Sequence, residues 1–179
     1  SLLFTPGNHP AKVTKVFTVG ADLAILDLED AVAVSEKAAT RAPVVEALKV
    51  PRDCLGYVRI NAADTEFYAD DFPAITGPWL DGIVFPKVES ADQLLSLDAG
   101  LKELEERHGM PAGSVDIIPI IETAKGLAAV SDIAGCGSRV RRLSFGAVDF
   151  AKDLGPGLAG QLRHRMGFGI GVRYSRAEH

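Results

Sequence analysis

The sequence predicts an α/β barrel of the TIM (β/α)8 type, of which about six β/α units are visible. Apolar strand-like segments alternate with helix-like segments at roughly 25-residue spacing, which is typical of a parallel sheet. The strand-like segments are continuously apolar, as expected when both faces of a sheet are covered. A doubly wound open sheet shows the same alternation. The barrel is favoured because polar residues cluster directly after the strands, where barrel active sites are built.

Strands are predicted at residues 2–5, 23–28, 56–60, 82–86, 116–121 and 142–145, each a short apolar run. Helices are predicted between them at residues 11–19, 35–48, 70–75, 90–108 and 124–134. Ser35 and Ser90 are expected to be N-cap residues, and Gly109 is expected to close the fourth helix. The alternation amounts to six β/α steps by residue 150.

The domain organisation follows from this count. We expect one barrel domain over residues 1–155 and a Gly- and Arg-rich tail over residues 156–179 that is not a separate domain. An eight-unit barrel typically needs about 250 residues, so the 179-residue chain is expected to be about two units short of closure.

Composition excludes several classes of function. The net charge of −5 gives no general attraction to nucleic acid or to an anionic membrane. The apolar stretches are shorter than the ~20 residues that cross a bilayer, and no signal-peptide pattern opens the chain. Cys54 and Cys136 form neither a disulfide framework nor a metal-type spacing. We therefore expect an enzyme of the cytoplasm or an organellar matrix, without a nucleic-acid or membrane partner.

Charged residues follow most of the predicted strands. In a barrel they meet in one shallow bowl, and they are Asp27, Glu29, Asp30, Arg59, Lys87, Glu122 and Asp149. Carboxylates packed this closely are unfavourable unless a cation or a substrate compensates their charge. Oxygen ligands without His or Cys clusters suit a hard ion, of which Mg²⁺ is the usual one. The sequence therefore predicts a Mg²⁺-type site.

Within the bowl, Glu122 and Asp149 end successive strands and are the predicted metal pair. The alternatives are a carboxylate at the N-terminus of the next helix for Glu122 and an N-cap or turn aspartate for Asp149. Arg59 lies in the apolar segment GYVRI, where a free guanidinium is costly to bury. It forms either a core salt bridge, for example to Asp27, or a forked donor for a substrate carboxylate or a developing enolate.

The other charged residues are expected behind the metal pair, where Asp27 and Glu29 either order metal-bound waters or pair with Arg59 and Lys87. The residues expected there are Asp27, Glu29, Asp30 and Lys87. Glycines after the first and sixth strands, Gly7 and Gly146, permit close approach of a backbone to a ligand or a tight turn. Nucleotide-loop, nucleophile-elbow and zinc-protease motifs are not found.

Six motifs occur in order over about residues 1–155: SLLFTPGN, LAILDLEDAV, VRIN, DGIVFPKVES, PIIETAKG and LSFGAVDFAKDLG. They resemble the citrate lyase β-subunit-like family of the HpcH/HpaI aldolase/citrate lyase superfamily, which includes malyl-CoA and citramalyl-CoA lyases. The resemblance implies a Mg²⁺-dependent barrel that acts on CoA thioesters of hydroxy acids and forms a homo-oligomer, a trimer or hexamer.

By position, the resemblance assigns the metal to Glu122 and Asp149 and substrate recognition to Arg59. Backbone groups at Gly146 and Ala147 would hold the substrate carboxylate. Lys15 matches a basic position that the family uses near the CoA phosphates.

Two features depart from the family pattern. His9 stands where many relatives have an arginine, and nothing after Gly155 looks like the family, whose members continue through two more strands and a helical extension. In several relatives that extension supplies an acidic group to a neighbouring subunit. We expect a poorly ordered tail here, although its arginines offer contacts to an acidic ligand: Arg163, Arg165, Arg173 and Arg176.

The function expected from the resemblance is carbon–carbon bond cleavage in a hydroxyacyl-CoA of the citryl-, malyl- or citramalyl-CoA type. A retro-Claisen reaction would give an acetyl-CoA-type thioester and a keto acid. One alternative is an aldolase of the pyruvate-enolate type that uses no CoA ester. Another is an incomplete barrel that serves as a binding or assembly partner.

Overall fold

The computed structural model describes residues 1–137 and 139–155. Six parallel strands form one sheet in the order β1-β2-β3-β4-β5-β6, so each strand pairs with its neighbours in the chain. The strands are β1 (Leu2–Pro6), β2 (Leu23–Asp27), β3 (Leu55–Arg59), β4 (Gly82–Phe85), β5 (Asp116–Ile121) and β6 (Ser144–Phe145). The sheet curls into an incomplete TIM-type barrel, as the sequence predicts. The tail predicted over residues 156–179, with the four arginines that offered contacts to an acidic ligand, lies outside the described residues.

Helices connect the strands in every step. They are α1 (Pro10–Val16), α2 (Lys37–Leu48), α3 (Tyr68–Ile75), α4 (Ala91–Arg107), α5 (Ala124–Ala128), α6 (Val130–Gly135) and α7 (Ala147–Asp153). The helix predicted at residues 124–134 is two short helices, because Ala129 leaves the helical conformation between them.

The two predicted serine caps have different outcomes. Ser90 is the N-cap residue of α4, and Gln93 Oε1 accepts the Ser90 backbone N–H at 3.3 Å. Gly109 follows that helix with a φ of +64°, a conformation that favours glycine. The prediction for Ser35 is wrong, because a 3₁₀ turn (Val34–Glu36) precedes α2 and leaves Glu36 at the N-cap position.

Two apolar layers lie on the two faces of the sheet. The larger layer packs the sheet against the helices, with Val44, Leu48, Leu97 and Leu101 among its buried members. The smaller layer lines the inner, concave face and consists of Leu23, Ile25, Tyr57, Val84, Ile118 and Ile120, with Phe4 packed against it. The strands are thus covered on both faces, which explains their continuous apolar runs.

The two-residue alternation of the strands places several charged residues on the inner face, at the carboxyl ends of the strands. Residues two apart share a face, so Asp27 follows Leu23 and Ile25 on β2. Arg59 follows Tyr57 on β3, and Glu122 follows Ile118 and Ile120 at the end of β5. The inner face is therefore apolar along the strands and charged at their carboxyl ends.

The opposite end of the sheet contains a separate buried ion-pair network. Arg139 donates from Nη1 and Nη2 to the two Glu105 oxygens at 2.6 and 2.7 Å, and it also pairs with Asp98. Burial acts to raise the pKa of Glu105, but Arg139 and the backbone N–H groups of Val115 and Gly113 lower it to about 2. This network ties α4 to the chain around β5, away from the carboxyl ends.

Several features of the fold bear on the predicted class of protein. No helix among the described residues is long and apolar enough to span a membrane. Cys54 and Cys136 are both free thiols. Two surface clefts near Arg52 and Arg142 lie at the amino ends of the strands, opposite the predicted site.

Candidate active site

Arg59 is locked in a forked salt bridge on the inner face. Its Nε and Nη2 donate to the Asp27 carboxylate at 2.7 and 2.5 Å, because the register pairs Asp27 directly with Arg59. Burial acts to lower the pKa of Arg59, but the hydrogen bonds and the charge of Asp27 outweigh it and raise that pKa. The guanidinium carbon also lies 5.4 Å from the centre of the Phe4 ring. The core salt bridge that the sequence offered as one reading of Arg59 is therefore present.

Asp27 has no oxygen to spare for a ligand. Besides Arg59, its two oxygens accept the backbone N–H groups of Glu29 at 2.9 Å and Ala31 at 3.2 Å. One carboxylate thus orients the arginine and shapes the loop after β2. A role for Asp27 behind a metal pair stays a prediction.

Glu29 is a buried carboxylate between two cations. Its oxygens lie 2.9 Å from Arg59 Nη1 and 3.1 Å from Lys87 Nζ. Neither oxygen accepts a hydrogen bond of good geometry from the described residues. Burial raises the pKa of Glu29 despite the opposing charge of Arg59. Asp30, by contrast, is exposed, and its carboxylate lies 3.9 Å from Arg59 Nη1.

Lys87 adopts the left-handed conformation with a φ of +50°, which is uncommon for a residue with a side chain. In this conformation its backbone N–H donates to Glu122 Oε1 at 2.9 Å, while its ammonium reaches Glu29. Burial acts to lower the pKa of Lys87, but the charge of Glu29 outweighs it and raises that pKa. Lys87 therefore links the carboxylates at the ends of β2 and β5.

Glu122 is the buried carboxylate whose ionisation is most disfavoured in the bowl. Its residue is 3% exposed, and burial raises its pKa to about 7. The Lys87 N–H opposes this effect, whereas the negative charges of Glu29 and Asp149 add to it. The alternative role at the N-terminus of α5 is wrong, since the Thr123 hydroxyl caps that helix and Asp153 binds the N–H of Ala124.

Gly146 brings the chain after β6 against Glu122. A Cβ at this position would lie 2.4 Å from Glu122 Oε2 and 2.6 Å from Glu122 Cβ. The Gly146 N–H donates to the Ile121 carbonyl at 2.9 Å, so the sheet already uses it. Of the two backbone groups predicted to hold a carboxylate, only the Ala147 N–H, in the first turn of α7, has no acceptor among the described residues.

Asp149 lies in the first turn of α7, three residues after Gly146. It is not the N-cap, which is Gly146. Its Oδ1 is 2.5 Å from Lys152 Nζ. Within residues 1–137 and 139–155, no group of three or more His, Cys, Asp or Glu side chains is arranged to hold a metal. The assignment of Glu122 and Asp149 as a metal pair stays a prediction.

Lys15 is not brought to this cluster. It lies exposed in the last turn of α1, and among the described residues it forms no ion pair. His9, the departure noted after the first strand, is the exposed N-cap residue of α1. Contact of either residue with a ligand stays a prediction.

Sequence reasoning missed Lys37 and assigned no role to Asn61, which ends the VRIN motif. The Lys37 ammonium is buried beneath the loop after β2 and donates to Asn61 Oδ1 at 2.6 Å. Burial lowers the pKa of Lys37. One signal was available: a lysine in the first turn of a helix is opposed by the helix dipole, which indicates a specific requirement.

We expect Gly146→Ala to displace Glu122 and to reduce turnover about 10- to 100-fold, the usual effect of disturbing a residue that orients a site. A movement of the Glu122 carboxylate alone would not relieve the clash, because the added Cβ would also lie too close to the Glu122 Cβ. The measurement is steady-state turnover in Gly146→Ala and in Gly135→Ala, whose added Cβ meets nothing within 4 Å. Equal turnover in both variants would contradict the close packing of Gly146 on Glu122.

A parallel β/α barrel with buried carboxylates and a clamped arginine at its strand ends is an enzyme scaffold of the TIM-barrel class. The chain belongs to the HpcH/HpaI aldolase/citrate lyase family, whose model matches residues 1–161.

Curated relatives agree with this assignment. The chain is 35% identical over 160 residues to the citrate lyase subunit beta of Leuconostoc mesenteroides subsp. cremoris, covering 86% of this chain and 52% of that protein. It is 39% identical over 159 residues to an L-malyl-CoA/beta-methylmalyl-CoA lyase of Cereibacter sphaeroides, covering 86% and 49%. The chain therefore spans about half the length of the curated relatives it matches.

Solved structures show the same fold. RipC from Yersinia pestis is 32% identical with a TM-score of 0.66, over 91% of this chain and 65% of that one. Protein CitE from Mycobacterium tuberculosis, in complex with magnesium, acetoacetate and coenzyme A, is 33% identical with a TM-score of 0.67, over 86% and 51%.

Proposed function

We propose that this chain acts as a Mg²⁺-dependent carbon–carbon lyase on a hydroxyacyl-CoA thioester. The observation that carries the proposal is Glu122, a buried carboxylate at a barrel strand end that ionises with difficulty in the protein alone. A divalent cation would supply the missing positive charge. Relatives named as citrate lyase subunit beta and malyl-CoA lyase, and a neighbour solved with magnesium and coenzyme A, support the chemistry.

The residues present fit a magnesium ion. Among the described residues Glu122 accepts only the Lys87 N–H, and Asp149 lies in the first turn of the neighbouring helix α7, so both carboxylates can serve as ligands. Mg²⁺ is usually held by one or two carboxylates and keeps several waters, so a two-carboxylate site suits it. Asp27 and Glu29 lie behind this pair with Arg59 and Lys87.

When bound, the metal would supply Lewis-acid polarisation of the substrate oxygens. Arg59 can stabilise negative charge that develops on an oxygen. Of its five N–H groups, two donate to Asp27, and Nη1 lies 2.9 Å from Glu29 without a well-formed hydrogen bond, so donors remain for a ligand. The Ala147 N–H is a further donor for a carboxylate of the substrate.

The proposed reaction is a retro-Claisen cleavage. A base takes the proton of the substrate hydroxyl, and a new carbonyl forms as the bond to the thioester α-carbon breaks. The electron pair of that bond passes to the thioester as an enolate, which takes up a proton to give an acetyl-CoA-type product. The other product is a keto acid.

The test is turnover of citryl-CoA, malyl-CoA and citramalyl-CoA by the purified chain, with and without a chelator. We expect cleavage of one of them, loss of at least about 90% of the activity in chelator, and its return with Mg²⁺. Turnover that is indifferent to chelator would reject the metal mechanism. Turnover of free hydroxy acids without competition by free CoA would favour the aldolase alternative, and no turnover by a folded, Mg²⁺-binding chain would favour the binding partner.

We also propose, from the family resemblance and the composition, that the active form is a homo-oligomer, a trimer or hexamer, located in the cytoplasm. Light scattering after size-exclusion chromatography measures the oligomeric state.

A further inference from the structure

The Lys37 ammonium makes all its hydrogen bonds to uncharged acceptors. Its Nζ donates to the Leu28 carbonyl at 3.0 Å, the Glu29 carbonyl at 2.6 Å and Asn61 Oδ1 at 2.6 Å. These three acceptors match the three N–H groups of an ammonium. No carboxylate of the described chain lies within ion-pair distance of it. The buried cation is therefore held by backbone and amide dipoles of the two loops that follow β2 and β3.

The loop after β2 is consequently held from both sides. On one side, the Asp27 carboxylate accepts hydrogen bonds from the loop N–H groups of Glu29 and Ala31. On the other side, the Lys37 ammonium donates to the loop carbonyls of Leu28 and Glu29. The peptide groups on either side of the Glu29 Cα are thus hydrogen-bonded. The direction of the Glu29 side chain follows from that constraint.

A buried network holds the lysine in turn. Asn61 donates from Nδ2 to Asp71 Oδ2 at 2.7 Å, and Arg41 donates from Nε to Asp71 Oδ1 at 2.8 Å. The network reaches from the loop after β3 through α3 to α2. This network therefore holds Asn61, and through it the Lys37 ammonium, beneath the loop that bears Glu29.

We propose that Lys37 is a positioning residue of the active site, which holds the Glu29 carboxylate against Arg59 and Lys87. The argument is geometric: the Glu29 carboxylate lies 2.9 Å from Arg59 and 3.1 Å from Lys87 although neither contact is a well-formed hydrogen bond. These contacts alone do not fix its position, so its backbone must. The kinetic part of this proposal rests on the proposed lyase function.

Lys37→Met removes the ammonium and leaves the Leu28 carbonyl and Asn61 Oδ1 without a donor among the described residues, while the Glu29 carbonyl keeps only the Val32 N–H at 3.2 Å. We expect amide hydrogen exchange in residues 28–32 to rise at least about 10-fold. We expect kcat for the thioester to fall about 10- to 100-fold, with KM changed less than about threefold, because the loop faces the reacting end of the substrate. Lys37→Gln, which keeps one donor group, should show intermediate values of both quantities.

Arg139→Met is the matched control, since Arg139 is an equally buried cation that bonds Glu105 at the other end of the sheet. It should lower thermal stability but leave kcat and exchange in residues 28–32 unchanged. Unchanged exchange in that segment of the Lys37 variants would overturn the proposal, as would an equal loss of kcat in Arg139→Met. If the wild type cleaves no thioester, the lyase function fails and the exchange comparison alone decides whether Lys37 positions Glu29.

Discussion

Replacing Glu122 with glutamine is expected to reduce thioester turnover at least about 100-fold. The substitution keeps the shape of the side chain but removes its charge from the proposed metal pair with Asp149. Loss of a group that only orients a metal ligand costs about 10- to 100-fold, so loss of a ligand should cost more. The measurement is kcat at saturating Mg²⁺, with the Mg²⁺ concentration for half-maximal activity as a second reading.

In the absence of metal, the same substitution should increase the stability of the fold at alkaline pH, although it reduces turnover. A pKa of about 7, raised from 4.5 by burial, means that Glu122 stabilises the fold fully below pH 4.5 and loses that contribution as the pH rises through 7. The loss at pH 8 is roughly 3 kcal/mol, from 1.36 kcal/mol for each pKa unit. We therefore expect metal-free Glu122→Gln to be more stable than the wild type at pH 8 and about equally stable at pH 4.

Urea unfolding at the two pH values, repeated with Mg²⁺, measures these differences. Mg²⁺ should raise the free energy of unfolding of the wild type at pH 8 but have little effect on Glu122→Gln. A variant that gains no stability at pH 8 in chelator would show that Glu122 is not destabilised by burial. Equal stabilisation of both proteins by Mg²⁺ would place the metal elsewhere.

Arg59→Lys is expected to lose both stability and activity. Lysine keeps the positive charge but does not reproduce the fork that grips both Asp27 oxygens at 2.7 and 2.5 Å. Hydrogen bonds to charged groups contribute about 1.5–3 kcal/mol each, so we expect the free energy of unfolding to fall by about 2–3 kcal/mol. Turnover should fall about 100-fold or more, because the remaining donors are no longer aimed at the substrate oxygen.

Arg139→Lys separates the two effects. Arg139 also grips both oxygens of a buried carboxylate, that of Glu105, but at the opposite end of the sheet. We expect a similar loss in unfolding free energy, measured by urea denaturation, with kcat unchanged. A comparable fall in kcat in both variants would mean that Arg59 acts only through stability.

Strand positions were predictable because an apolar run bounded by turn residues has few other solutions. The predicted strands at residues 23–28, 82–86 and 116–121 match β2, β4 and β5 within one residue. Helix starts were less predictable, because the 3₁₀ turn before α2 is stabilised by local backbone bonding that a serine cap signal does not reveal. The prediction of a single long helix after β5 was wrong for a similar reason, since the apolar pattern does not indicate the break at Ala129.

The sequence by itself determined where most strands lie in the chain and which charged residues follow them. The two-residue alternation of a strand and a parallel register suffice to bring Asp27, Arg59 and Glu122 to one end of the inner face. The tertiary structure decided which of these side chains are bonded within the protein and which keep groups available for a ligand. The Asp27 clamp on Arg59, the Lys87 N–H on Glu122 and the Lys37 ammonium beneath Glu29 join residues between 8 and 35 positions apart. Such contacts depend on the curl of the sheet and the path of each loop, and those arise from packing of the whole domain rather than from any local pattern.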